Sequence, residues 1–87
     1  PDAKPVSPSI DDVLDLRGLR VDEVGGKLDH FLAEALVRDR DVVVVVHGHG
    51  SGALRKYVRE HLRGLDLVER TRPGLAQEGG EGVTVVW

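Results

Sequence analysis

Apolar and polar residues alternate from Val13 to Arg17, in the order Val-Leu-Asp-Leu-Arg, and stop at Gly18. A period of two belongs to a strand, with Leu14 and Leu16 on one face and Val13, Asp15 and Arg17 on the other. From about Val21 the period lengthens. Val24, Leu28, Phe31, Leu32, Ala35 and Leu36 recur at helical spacing, which predicts a helix to about Asp39. Asp22 and Glu23 suit its positive N-terminal end. Gly25-Gly26 suits it less, because a glycine inside a helix costs about 1 kcal/mol relative to alanine. The pair allows a kink, a late start or the close approach of another backbone. Val42 to Val46 is an unbroken β-branched run, the pattern of a central strand covered on both faces.

That run ends at His47-Gly48-His49-Gly50, and Ser51 is the predicted N-cap of a second helix. Leu54, Tyr57, Val58, His61, Leu62 and Leu65 form the apolar stripe of that helix over about 52–63, and Gly64 stops it. Leu67 to Thr71 reads as a short strand, residues 73–82 as a glycine-rich loop, and Val83 to Trp87 as a closing strand. The order is β-α-β-α-β-β. Right-handed crossovers put both helices on the same side of the sheet. The expected architecture is an α/β two-layer sandwich, a four-stranded mixed sheet with two helices packed on one face and the other face open. Residues 1–10, with Pro1, Pro5 and Pro8 and little apolar content, read as a flexible linker tail, and residues 11–87 as the domain.

Composition narrows this picture. A chain of 87 residues holds one small core, supplied here mainly by 15 Val and 11 Leu. The absence of Cys excludes a disulfide scaffold and a thiolate zinc site. No apolar run approaches the length of a membrane-spanning helix, and no signal peptide is visible, so a cytoplasmic protein with no membrane partner is expected. The missing initiator Met points to a piece of a longer protein. The net charge of −3 is unevenly spread: residues 1–41 carry 10 acids against 6 Lys/Arg, and residues 42–87 carry 5 against 6. Arg55, Lys56, Arg59, Arg63, Arg70 and Arg72 make a basic stripe, which is either a local phosphate-binding surface or a solvated helix face.

Three places offer chemistry. At the junction His47-Gly48-His49-Gly50-Ser51-Gly52, glycines let the chain turn tightly into a helix whose free N–H groups favour an anion, with Arg55 and Lys56 in the first turn to reinforce it. The plainer alternative is a tight strand-to-helix turn. Asp15 and Arg17 share a face at the carboxyl end of a strand, where open α/β sheets bind ligands; otherwise they are a surface ion pair. His47 ends a buried strand. It would act as a general acid or base near neutral pH, oriented by Asp15, whose charge would raise its pKa; the alternative is a structural histidine. His61 falls on an apolar stripe and His30 on a polar face, so neither is a candidate.

Leu14-Asp15-Leu16-Arg17-Gly18, His47-Gly48-His49-Gly50, Gly52-Ala53-Leu54-Arg55 and the run Gly80-Glu81-Gly82-Val83-Thr84-Val85-Val86, in this order, resemble the Smr (small MutS-related) domain over about residues 12–87. The version with Arg17 is most similar to the Smr domain that ends bacterial MutS-like proteins of the second type. The resemblance implies a sandwich similar to the C-terminal domain of translation initiation factor three. It also implies an endonuclease that nicks or cuts DNA, and RNA in some members, with little sequence specificity. It implies a homodimeric full-length protein that hydrolyses ATP in domains absent here, linked to suppression of homologous recombination and to rescue of collided ribosomes.

Carried over by position, Asp15, Arg17 and His47 are the catalytic candidates. Gly48, His49, Gly50, Ser51, Gly52, Arg55, Lys56, Arg59, Gly80, Gly82 and Thr84 are the phosphate-binding candidates. In this reading His47 moves a proton, and Asp15 either orients it or holds a divalent cation, Mg²⁺ or Mn²⁺. A two-metal site would need Asp11 or Asp12 as well. The isolated domain is expected to be a monomer. The competing classes are a non-catalytic module that binds nucleic acid or the ribosome, and an assembly domain that uses the open sheet face.

Overall fold

A computed structural model describes residues 4–87. Its strands are β1 (Val13–Asp15), β2 (Val43–Val46), β3 (Thr71–Pro73) and β4 (Val83–Val86), and its helices α1 (Val21–Val37) and α2 (Ala53–Arg63). The sheet order is β1-β2-β4-β3, with β1 parallel to β2 and β4 antiparallel to both β2 and β3. The α/β sandwich expected from the periodicities is present.

The register explains which side chains go where. Leu14 pairs with Val45, so both face the helices, while Val13 and Asp15 pair with Val44 and Val46 on the other face. Val43, Val45 and Val86 meet Val24, Leu28 and Leu32 of α1 and Val58 and Leu62 of α2 in the main core. Each such side chain, fully buried, contributes about 1.5–3 kcal/mol. Leu36 lies off this core and is exposed.

The second sheet face is not left open. Val44, Val83 and Val85 form a smaller cluster, against which Val6, Val13, Val46 and Trp87 pack. The N-terminal segment is fastened there. The Val6 N–H donates to Glu78 Oε2 at 2.7 Å, and Arg72 donates to the Lys4 carbonyl at 3.1 Å. Arg72 also forms a buried ion pair with Glu78 at 2.6 Å. Of the residues read as a linker tail, 1–3 lie outside the described residues.

Three local expectations change. The third strand comes later than Leu67–Thr71 because the chain turns through Leu65–Val68, where the Val68 N–H donates to the Leu65 carbonyl. Pairing with β4 then selects Thr71–Pro73, an edge strand that tolerates its proline. The cap of α2 is Gly52 rather than Ser51, because the chain takes a left-handed turn there (φ +87°); Ser51 Oγ accepts the Ala53 N–H at 3.3 Å from just outside. The glycine pair in α1 marks a close approach. A Cβ on Gly25 would lie 2.8 Å from the Tyr57 hydroxyl of α2.

Candidate phosphate-binding cleft

The carboxyl ends of β1 and β2 open onto a cleft of about 600 Å³, lined by residues 17–21 and 47–55. Its floor is the loop after β2. His47 is only 4 % exposed. Its Nδ1 lies 3.1 Å from the Gly48 carbonyl and its Nε2 2.8 Å from the fully buried Thr84 hydroxyl. A carbonyl only accepts, so Nδ1 carries the proton and the neutral Nε2 accepts from Thr84. Burial pushes the imidazole pKa below 6.5. The Gly48 carbonyl opposes this, the Arg59 and Arg55 charges add to it, and Glu81 opposes it.

The segment 80–84 holds this loop in place. The N–H groups of His47 and Gly48 both donate to the Gly82 carbonyl, at 3.1 and 2.9 Å. Gly48 adopts φ +84°, and a Cβ there would meet Arg17 Cγ at 3.2 Å. Gly48→Ala is therefore expected to cost about 1–2 kcal/mol for the left-handed backbone and to displace Arg17. A lowered melting temperature together with shifted Arg17 NMR resonances would bear this out. The exposed His49 ring rests over Gly82, whose missing Cβ would stand 2.7 Å from His49 Nε2.

Arg17 and Asp15 form a two-pronged pair at the cleft mouth. Arg17 Nε donates to Asp15 Oδ1 at 2.9 Å and Nη2 to Oδ2 at 2.7 Å, and the Arg17 backbone N–H reaches Oδ1 at 3.0 Å. The Arg17 side-chain hydrogen bonds, then its N–H, pull the Asp15 pKa down to about 2.

The expected Asp15–His47 partnership does not form. Asp15 projects from the sheet face away from the helices, whereas His47 turns toward them, to Thr84. Arg17 is the link between Asp15 and the loop. The raised His47 pKa expected from Asp15 is therefore absent, and burial lowers it instead.

The basic stripe also divides. Arg55 and Arg59 lie near His47, and both reach Glu81 Oε1, at 3.5 and 3.3 Å. Lys56 is exposed beside them, as are Gly50 and Ser51 on the turn. Arg70 and Arg72 instead flank the Trp87 ring, 4.5 and 5.5 Å from its centroid.

A divalent cation finds a poor donor set. Both Asp15 oxygens are engaged by Arg17. Asp12 is buried at the opposite end of β1, paired with Arg38 at 3.1 Å and Arg40 at 3.4 Å. Among the described residues no three His, Asp or Glu side chains are grouped as a metal site. Sequence reasoning missed Glu81 as the partner of two arginines and Arg20 in the cleft wall. An acid between two glycines of a loop expected to shape a phosphate site was the available clue.

The family model described as "Smr domain" matches residues 14–87. The chain is 48 % identical over 73 residues to a protein named Endonuclease MutS2 from Exiguobacterium sibiricum, covering 84 % of this chain and 9 % of that protein. It is 44 % identical over 72 residues to one of the same name from Staphylococcus epidermidis, again spanning only 9 % of it. The crystal structure of the Smr domain of Thermus thermophilus MutS2 superposes with a TM-score of 0.84 at 43 % identity, covering 86 % of this chain and 94 % of that one. YdaL, a stand-alone small MutS-related protein from Escherichia coli, superposes with a TM-score of 0.85 at 25 % identity over 98 % and 67 % of the two chains. Given a family model running from Leu14 to the C-terminal Trp87 and the same fold in solved relatives, this chain belongs to the Smr domain family.

Proposed function

We infer that the domain is a nuclease module that grips a nucleic-acid backbone in the cleft and cleaves a phosphodiester there. The observation that carries this reading is the Arg17–Asp15 pair. Asp15 takes Nε and Nη2 of the guanidinium, which fixes its plane and leaves Nη1 to meet a phosphate. The names of the relatives support the reading, since they are endonucleases whose length this chain spans by about 9 %.

In this reading Arg55, Lys56, Arg59 and the turn 48–52 hold the phosphates to either side. His47, neutral and held through Nε2 by the buried Thr84 hydroxyl, is the group proposed to take the proton of the attacking water or hydroxyl. Because burial disfavours the charged ring, nicking that uses it as a base is expected to fall off in acid at a lower pH than an ordinary imidazole would give. DNA is the proposed substrate, with structured RNA the second. By the family resemblance, a longer protein containing this domain would hydrolyse ATP and dimerise through other parts, act in recombination suppression and ribosome rescue, and be cytoplasmic.

One observation favours a second reading, a module that binds without cutting. Both His47 ring nitrogens already have partners inside the protein, and Asp15 is tied to Arg17. Supercoiled plasmid and a structured RNA, each with Mg²⁺, Mn²⁺ or EDTA, separate the two. The nuclease reading expects nicking that Asp15→Asn and His47→Asn abolish while binding persists; binding without nicking in the wild type leaves the module. In both readings binding is salt-sensitive despite the net charge. With about three phosphates engaged, log K against log salt is expected to slope about −3 on duplex DNA, and a flat dependence would remove the phosphate footprint.

A further inference from the structure

Glu81 is the acid that faces the α2 arginines beside the cleft, and its setting is specific. It stands between Gly80, at φ +60°, and Gly82. The Gly82 carbonyl is locked to the His47 and Gly48 N–H groups. A fixed turn therefore delivers its carboxylate to α2. There a single oxygen, Oε1, serves both Arg55 Nη1 at 3.5 Å and Arg59 Nη2 at 3.3 Å. Both contacts are long for charge-assisted hydrogen bonds. The carboxylate and Arg55 remain solvent-accessible, so the arrangement contributes little to stability and is readily exchanged. The two arginines sit one helical turn apart on the face of α2 toward the cleft, and their charges act on His47. Two guanidinium groups converging on one anionic oxygen have the geometry that a phosphodiester oxygen would satisfy better, because the phosphate offers two unesterified oxygens, one for each arginine.

We propose that Glu81 occupies the seat of a backbone phosphate, so that its carboxylate competes with nucleic acid for Arg55 and Arg59 and sets how tightly the domain binds. This rests on the reading of the cleft as a phosphate site and adds a residue that tunes it. The free domain keeps Arg55 and Arg59 oriented and half neutralised. A correctly seated backbone must displace Glu81, and the displaced carboxylate then lies close to the phosphate it yields to. Glu81 thus weakens every bound backbone and suppresses loose, non-specific association.

The test compares Glu81→Gln with Glu60→Gln, which removes the same charge from an exposed position on α2. Each is titrated with a fluorescent DNA duplex over a range of salt, and with inorganic phosphate followed by NMR of the arginine side chains. Glu81→Gln is expected to bind duplex about 5- to 10-fold more tightly at moderate salt. Its log K–log salt slope should be steeper by about one unit, because in the wild type the displaced carboxylate takes up a cation that offsets one released from the DNA. It should also bind inorganic phosphate more tightly, and Glu60→Gln should do neither. In an Arg55→Ala/Arg59→Ala background the gain is expected to vanish.

Equal effects of Glu81→Gln and Glu60→Gln on both probes would overturn the proposal, as would a gain that survives removal of the arginines. Tighter phosphate binding by Glu81→Gln with no duplex binding by any form would uphold Glu81 as occupant of an anion seat. That outcome would instead defeat the nucleic-acid reading of the cleft.

Discussion

Arg17→Ala is expected to lower plasmid nicking by about 10²–10³-fold, the usual effect of removing one preorganised donor from a developing oxyanion. The side chain is 64 % exposed and makes no core contact, so the melting temperature should hardly change. Arg17→Lys is expected to rescue little. A lysine ammonium cannot span both Asp15 oxygens while presenting another donor in a fixed plane. Asp15→Asn should act through the same guanidinium, by freeing it to rotate, and the double variant should be no worse than Arg17→Ala alone. Nicking rates under single-turnover conditions, with circular dichroism as the control for folding, provide the check. Wild-type nicking by Arg17→Ala would remove the pair from the reaction.

His47→Ala is expected to have the largest effect on stability. It deletes a buried ring and leaves the fully buried Thr84 hydroxyl without its partner. Together the cavity and the unpaired hydroxyl are expected to cost about 3–5 kcal/mol, a large part of the 5–15 kcal/mol typical of a small domain. Thermal unfolding should show a loss well over about 10 °C. A near-native melting temperature would mean that the ring does not support the loop. The pH dependence has a definite sign. His47 resists protonation in the folded state, whereas the unfolded chain protonates near 6.5, so stability declines as pH falls below 6.5. A second decline occurs in acid. Asp15 and Glu78, both lowered to about 2 from 3.8 and 4.5, contribute stability above those unfolded values that is lost as pH falls toward 2.

Much of the scaffold was legible because its patterns are local. The alternation of Val13 to Arg17, the valine run and the two helical stripes each dictate an element without help from the rest of the chain. The third strand was misplaced because Leu67 and Val68 look like strand residues. Only their turn at Leu65 and the pairing of Thr71 with Val86 decide otherwise. The cover on the second sheet face was hidden for a similar reason. Val6 alone is a weak apolar mark, and it docks through a hydrogen bond to Glu78, 72 residues away.

At the site, the motif residues around the two strand ends were legible, but their partnerships were not. Asp15 and His47 lie on adjacent strands at nearly the same level. Yet the two-residue period of a strand sends them to opposite faces. Arg17 crosses between them because Gly48 lacks the side chain that would block it. Thr84 and Glu81 gain their roles only when the last loop folds back under the His47 turn. Those long-range hydrogen bonds leave no periodic trace in the sequence.

The cleft itself is tested most directly by backbone amide shift mapping of the isotope-labelled domain during titration with a short DNA duplex. The expected result is a contiguous set of perturbed amides over residues 17–20 and 47–55, extending to Glu81, while Val13, Val44 and Val85 on the opposite sheet face stay unmoved. Perturbations centred instead on that second face or around Trp87, with the His47–Arg55 segment unaffected, would contradict the assignment of the cleft as the place where a phosphodiester is held.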